Sequence, residues 1–333
     1  MKLFYSILIA FLLTVSAKAE IYTTPEGYQF EVNLVPEKTE IMLGEPIYLN
    51  FEVKNLSEVS LGMVEGGDYR NKLGRPESFS IAVHDERGNV VEKLNAGMTM
   101  GGVMFFREIP VKEKRVTKLF LPHWAALNKT GNFSILCQKN LIVRRYEKDN
   151  RASIYGQEGE PVKVGSKIKV VPLSNRKMSQ VIEIWGNEIF NTERNGSRSY
   201  EAVKALSYIK DKRIIKPLIK AVEKEFASDA ALRALAEFND ESAFNAIVSQ
   251  INGKTNSIRS SAANALSVSK HPKAFDFLLT MKGDEDKFVR LAVLQSLGRI
   301  GTPASLKILR EMLAEDRNKE LIQYVESYLK NQE

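Results

Sequence analysis

One cysteine and three histidines are all that a chain of 333 residues supplies of the side chains most used for metal binding and nucleophilic chemistry. The lone Cys137 excludes an internal disulfide, so packing has to hold the fold together even in an oxidising compartment. It shares the parity of Phe133 and Ile135 in a strand-like run, which makes it a buried, inert thiol. His84 stands with outward parity beside a turn, His123 lies in the loop Pro122-His123-Trp124, and His271 precedes Pro272 between two helices; each reads as a surface histidine. No Gly-rich phosphate cradle, paired zinc spacing or strained Ser elbow occurs. The run Asp284-Glu285-Asp286 lacks the spaced ligands of a calcium loop and reads as the N-cap and first-turn charge of a helix. The expectation is a noncatalytic chain with no catalytic, cofactor-binding or metal-ligating residues.

Charge of one sign is also missing. The net +7 includes Lys2 and Lys18; residues 20 to 175 carry 21 basic and 20 acidic groups, and residues 176 to 333 carry 25 and 21. Without a basic stripe, nucleic acid is not the expected partner. Long apolar runs are absent except from Leu3 to Val15, which follows Lys2 and precedes the small-x-small pattern Ala17-Lys18-Ala19. That arrangement predicts a signal peptide over 1–19, cleaved after Ala19, and an exported protein, periplasmic or secreted. The run is shorter than the roughly 20 residues of a spanning helix, so no integral span is expected after cleavage.

What the sequence does contain is two kinds of periodicity. Over 20–173 the period is two. Phe30, Val32 and Leu34 alternate with polar residues, as do Ile47, Leu49, Phe51 and Val53, while Phe79, Ile81 and Val83 lead into the turn Asp85-Glu86-Arg87-Gly88-Asn89 and back into Val90 and Val91. Further strands are predicted around Val103–Ile109, Val116–Leu121, Phe133–Val143 and Lys167–Leu173, with a long loop from Lys148 to Ser166. Seven or more short strands predict an antiparallel β-sandwich. The runs Leu43-Gly44-Glu45-Pro46-Ile47-Tyr48-Leu49 with Asn55, and Thr130-Gly131-Asn132-Phe133-Ser134-Ile135, resemble bacterial immunoglobulin-like domains. Phe133 stands where that family commonly has Tyr, so the corner hydrogen bond of such a Tyr is absent.

From Ser174 the period becomes helical. Met178, Val181, Ile182, Trp185 and Ile189 mark a junction helix within 174–198. Over 199–333 one apolar template then recurs. Its anchors are Leu206, Leu235, Leu266 and Leu297, at intervals of 29, 31 and 31, and each is followed twelve residues later by Leu218, Ile247, Leu278 or Leu309. Scored at nine offsets per unit, 31 of 36 positions are apolar; Ser269, Lys282, Ser296, Ser305 and Arg310 fail. At 44% apolar composition, chance would supply about 16. Four helix pairs that cannot bury their faces alone predict a short α-solenoid, closed by a helix over Lys319–Lys330.

The template, with Ala262-x-x-Ala265-Leu266, Asp286-x-x-Val289-Arg290 and Ile300-Gly301-Thr302-Pro303-Ala304, resembles HEAT repeats of the short bacterial kind first named from phycobilin lyases. The resemblance implies that Arg259 and Arg290 pair with acidic groups between repeats; Ser199 and Ser228 occupy that place in the first two units. It also implies that the second helices line a concave face that holds a protein partner. Candidates there are Lys216, Asn245, Asp276 and Lys307, two residues before each second anchor, and Lys220, Ser249, Thr280 and Glu311, two residues after. The expected function is an exported protein-binding adaptor. The alternatives are a sugar-binding or adhesive sandwich using Trp124, Tyr69 and Phe106, with the repeats as spacer, and a lyase-like enzyme by analogy with the repeat's namesake.

Overall fold

Alternation of inward apolar and outward polar side chains builds the first part of the chain. The computed structural model describes residues 19–66, 79–92, 104–147, 159–190, 197–223 and 228–315. They fall into two units, Met1–Ser174 and Asn175–Glu333. Residues 1–18 of the segment read as a signal peptide, Tyr69, most of the Lys148–Ser166 loop and the closing helix expected at Lys319–Lys330 lie outside the described residues.

In chain order the strands of the first unit are β1 (Glu20–Thr23), β2 (Gln29–Pro36), β3 (Glu40–Met42), β4 (Tyr48–Asn55), β5 (Leu61–Gly66), β6 (Ser80–Asp85), β7 (Met104–Ile109), β8 (Lys114–Phe120), β9 (Gly131–Leu141), β10 (Val143–Arg145) and β11 (Glu160–Val171). They form three sheets, ordered β1-β2-β4-β8, β10-β5-β7 and β3-β11-β9-β6. Inward residues of β2 and β4 meet those of β9 and β11 in one hydrophobic cluster that includes Phe30, Phe51, Ile135 and Cys137. Burying each such aliphatic or aromatic side chain contributes about 2–3 kcal/mol.

Polar side chains tie the sheets together. The Tyr22 hydroxyl lies 2.8 Å from both the carbonyl and the N–H of Lys163, donating to one and accepting from the other, and so joins β1 to β11. The buried Glu45 carboxylate accepts from the Met42 N–H at 2.9 Å and pairs with Lys38, locking the turn in which Gly44 takes φ +81°. At the predicted hairpin, Asp85 accepts from the N–H groups of Arg87 and Asn89 and pairs with Lys129 at 2.7 Å. Lys129 and these N–H groups hold its carboxyl well below the usual carboxylate range.

Several strand expectations are corrected. β11 begins at Glu160, because Val162, Val164, Ile168 and Val170 already alternate inward; Gly159 and Pro161 sit at its start, where a missing N–H is tolerated. The sandwich is not wholly antiparallel, since β3 pairs with β11 in parallel. Tyr48 has outward parity in β4 yet is buried, its ring 4.9 Å from that of Phe120. Strand β5 escaped prediction because Leu61, Gly62, Met63 and Val64 are all buried, which erases the period.

The second unit is helical: α1 (Asn175–Glu188), α2 (Ser197–Tyr208), α3 (Ile215–Val222), α4 (Ser228–Leu235), α5 (Glu241–Val248), α6 (Asn256–Leu266), α7 (Ala274–Thr280), α8 (Lys287–Ile300) and α9 (Pro303–Glu315). First helices stack in succession, α2 on α4, α4 on α6 and α6 on α8, and α1 packs on α2. Five of the nine offsets, −4, −1, 0, +8 and +12 from the anchor, are buried in every unit. Two of the polar misfits obey the same geometry. Ser296 is fully buried and donates to the Ala263 carbonyl at 3.1 Å, and Ser305 is fully buried and donates to the Thr302 carbonyl at 3.0 Å. A small hydroxyl with an acceptor is tolerated where the template asks for an apolar group.

Candidate functional site

The chain entering the second helices α3, α5, α7 and α9 is held by a side chain at one repeated position, which caps α5 directly and, before α3, caps the 3-10 turn Lys212–Ile214. Five residues after each anchor stand Asp211, Asp240, His271 and Thr302. Asp211 accepts from the Arg213 N–H, and Asp240 from the Ser242 and Ala243 N–H groups. Nδ1 of His271 accepts from the Lys273 N–H at 3.3 Å, and the Thr302 hydroxyl accepts from Ser305 N–H at 3.2 Å. Each satisfies a backbone donor in the turn that leads into the helix or in its first turn. His271 therefore corrects the surface reading. Its side chain is 8% exposed, its ring stacks on Phe244 at 3.7 Å, and Nε2 lies 3.1 Å from a Glu241 carboxylate oxygen.

With caps fixing the helix starts and Leu218, Ile247, Leu278 and Leu309 fixing the inward face, residues two positions away point about 200° round, toward solvent. All the candidates, Lys216, Lys220, Asn245, Ser249, Asp276, Thr280 and Lys307, are exposed, as is Glu311. Their hydrogen-bonding capacity differs. The Ser249 and Thr280 hydroxyls donate to the Ala246 and Phe277 carbonyls at 2.9 and 2.7 Å, and Lys307 lies 3.9 Å from Glu311. Lys216, Lys220, Asn245 and Asp276 are the candidates whose polar groups make no such contact among the described residues. The row is chemically a mixed polar surface that can hold side chains and peptide groups of a protein.

One further position, near the start of the first helices, recurs with a contact of its own. Arg259 forms a two-pronged pair with Asp284, at 2.8 and 2.9 Å, and donates to the Gly253 carbonyl at 3.1 Å. Arg290 donates to the Asp284 carbonyl at 2.9 Å, and the buried Ser228 hydroxyl to that of Val222 at 2.9 Å. In all three units the acceptor lies six residues upstream. Ser199 bonds the Ile189 carbonyl instead, at 2.8 Å. The serines thus keep a backbone carbonyl contact at this position in place of the guanidinium. Asp284 orients Arg259 while Asp286 caps α8, accepting from the Phe288 N–H at 2.8 Å.

Arg259 and Asp284 are 13% and 11% exposed, so removing one partner strands the other in a poorly solvated place. Arg259→Leu is expected to cost about 2 kcal/mol in urea unfolding, and Arg259→Leu with Asp284→Asn about half of that. The guanidinium holds the Asp284 carboxyl below its ordinary value. A depressed folded pKa contributes stability above the unfolded value of about 4 and loses it as pH falls through the folded one, so Arg259→Leu flattens the acid limb of the stability curve.

Elsewhere the reactive groups are engaged in packing. Burial raises the Cys137 thiol to about 12. The Trp124 indole N–H donates to the Phe79 carbonyl at 3.3 Å, and Phe106 lies over Gly62, stacked with Tyr146 at 5.8 Å and under the Arg144 guanidinium at 4.7 Å. Among the described residues no three His, Cys, Asp or Glu side chains form a metal-holding group, and no helix is long and apolar enough to cross a membrane.

A family model described as HEAT repeats matches residues 254–330, and one described as PBS lyase HEAT-like repeat matches residues 200–224. No curated protein matches the chain. The C-terminal region is thus made of HEAT-like repeats, a helical scaffold suited to protein interaction, and it follows a β-rich N-terminal region.

Proposed function

We propose, on the premise of a HEAT-like scaffold, that this chain is an exported, noncatalytic adaptor whose second helices bind a protein partner. The observation that carries the reading is the row of exposed polar residues at matching places of successive units, held in register by buried anchors and recurring caps. Export rests on the Lys2, Leu3–Val15 and Ala17-Lys18-Ala19 pattern, and mass analysis of the exported form is expected to find a chain starting at Glu20. The β-sandwich supplies a second surface by which such an adaptor is held in place.

The test is a crosslinking pull-down from the exported fraction with the mature chain and with Lys216→Glu/Lys307→Glu, both exposed positions whose change leaves the core intact. The expected result is a defined protein captured by the parent and lost with the variant. Capture that is absent, or equal for both chains, removes the second helices as the binding face.

A further inference from the structure

The exposed row is mixed in sign as a whole, but its positive charge is concentrated on one helix. Lys216 and Lys220 are exposed, four residues apart on α3, and make no ion pair among the described residues. Other basic side chains of the helical unit do: Lys210 pairs with Glu237, Arg213 with Asp211, Arg233 with Asp229 and Lys307 with Glu311. The two ammonium groups repel each other at this spacing. Lys216 also stands in the first turn of α3, which carries no acidic residue to pair with it. Helix stability thus opposes this placement. The matching places on α5 are neutral, Asn245 and Ser249, and on α7 they are Asp276 and Thr280.

We infer that α3 is the electrostatic anchor of the face and takes the carboxylates of an acidic, extended segment of the protein partner. The inference rests on the adaptor reading above and adds the partner's chemistry to it. Two ammonium groups one helical turn apart match two carboxylates on same-side positions of an extended chain, which are about 7 Å apart. Asn245 on the next second helix can then bond the segment's peptide groups, having both a donor and an acceptor. Asp276 beyond it repels further acidic residues, so the acidic stretch is short and one end of the segment is fixed on α3.

A short labelled glutamate-rich peptide, with a lysine-rich peptide as control, tests this by fluorescence anisotropy on the mature chain. The parent is expected to bind the glutamate peptide at low salt, weaken as ionic strength rises, and ignore the lysine peptide. Lys216→Gln/Lys220→Gln keeps the aliphatic stems and is expected to weaken binding about tenfold with helical circular dichroism unchanged. Arg233→Gln, on the first helix α4 and already facing Asp229, is expected to leave it unchanged. No binding by the parent, or equal binding by the double variant, overturns the inference even if the pull-down captures a protein through this face. Peptide binding lost with the double variant upholds it even if the pull-down fails and the adaptor reading falls.

Discussion

Leu235→Ala is expected to lower the stability of the helical unit by about 3–4 kcal/mol, the cost of a lost buried side chain plus the cavity it leaves. Leu235 is wholly buried in α4, which packs on α2 and α6 in the row of first helices and also touches α3 and α5. Four helices therefore border the one that carries the deletion, and none can close the void without leaving another neighbour. In a stack where each unit contacts only its neighbours, an interior loss weakens two interfaces together. The measurement is urea unfolding followed at the helical circular dichroism band. Val268→Ala is the control: Val268 is 46% exposed two residues past its anchor, and its truncation is expected to stay within about 0.5 kcal/mol. Equal effects of the two substitutions would mean that the anchor positions do not carry the array.

The anchors were legible because the helical unit repeats its own solution four times. A residue that is ambiguous once becomes certain at its third appearance 31 residues on, and Leu206, Leu235, Leu266 and Leu297 could be placed inside before any contact was known. Reading by polarity failed where a hydroxyl replaced a methyl. Ser296 and Ser305 look like breaks in the pattern, yet each finds a backbone acceptor within its small volume. The cap position shows the converse limit. Asp211, Asp240 and Thr302 share an obvious chemistry, but His271 shares it only through the nitrogen that accepts from Lys273, which composition does not reveal. The interval itself was the available signal, since all four lie five residues after an anchor.

The β unit had no repeat to lean on. Strands with one wet face, such as β2 and β4, announce themselves by alternation, whereas β5 is buried on both faces and β3 is three residues long. The candidate binding residues occupy an intermediate place. Their exposure follows from helix geometry once the anchors are known, but the difference between Lys216, whose charge meets no partner among the described residues, and Lys307, which faces Glu311, depends on neighbours that spacing alone does not supply.

Asn55→Leu is expected to be as costly to the sandwich as Leu235→Ala is to the repeats, although it keeps the side chain's branching and heavy-atom count and makes it more apolar. Asn55 ends β4 and is wholly buried. Its carbonyl oxygen accepts from the Ser57 N–H at 2.8 Å, and its amide donates to the Val59 carbonyl at 2.8 Å and the Ile109 carbonyl at 2.9 Å. One side chain thus turns the chain out of β4 and ties it to the end of β7 in another sheet. Leucine removes all three partners at once. With about 1–3 kcal/mol lost for each buried group left unsatisfied, and some recovered by hydration at the turn, the expected cost is about 3–4 kcal/mol in urea unfolding. Asn55→Asp separates hydrogen bonding from shape. Its carboxylate can still accept from Ser57 but faces two carbonyl oxygens without a donor, which raises its folded pKa above the unfolded value of about 4. A raised acid pKa means that the penalty is fully present at neutral pH and shrinks as pH falls through the folded value, because the protonated acid regains one donor. The gap between Asn55→Asp and the parent chain should therefore narrow on acidification, while that of Asn55→Leu stays constant. A gap that does not move with pH would assign Asn55 to packing instead of to the two carbonyls it bridges.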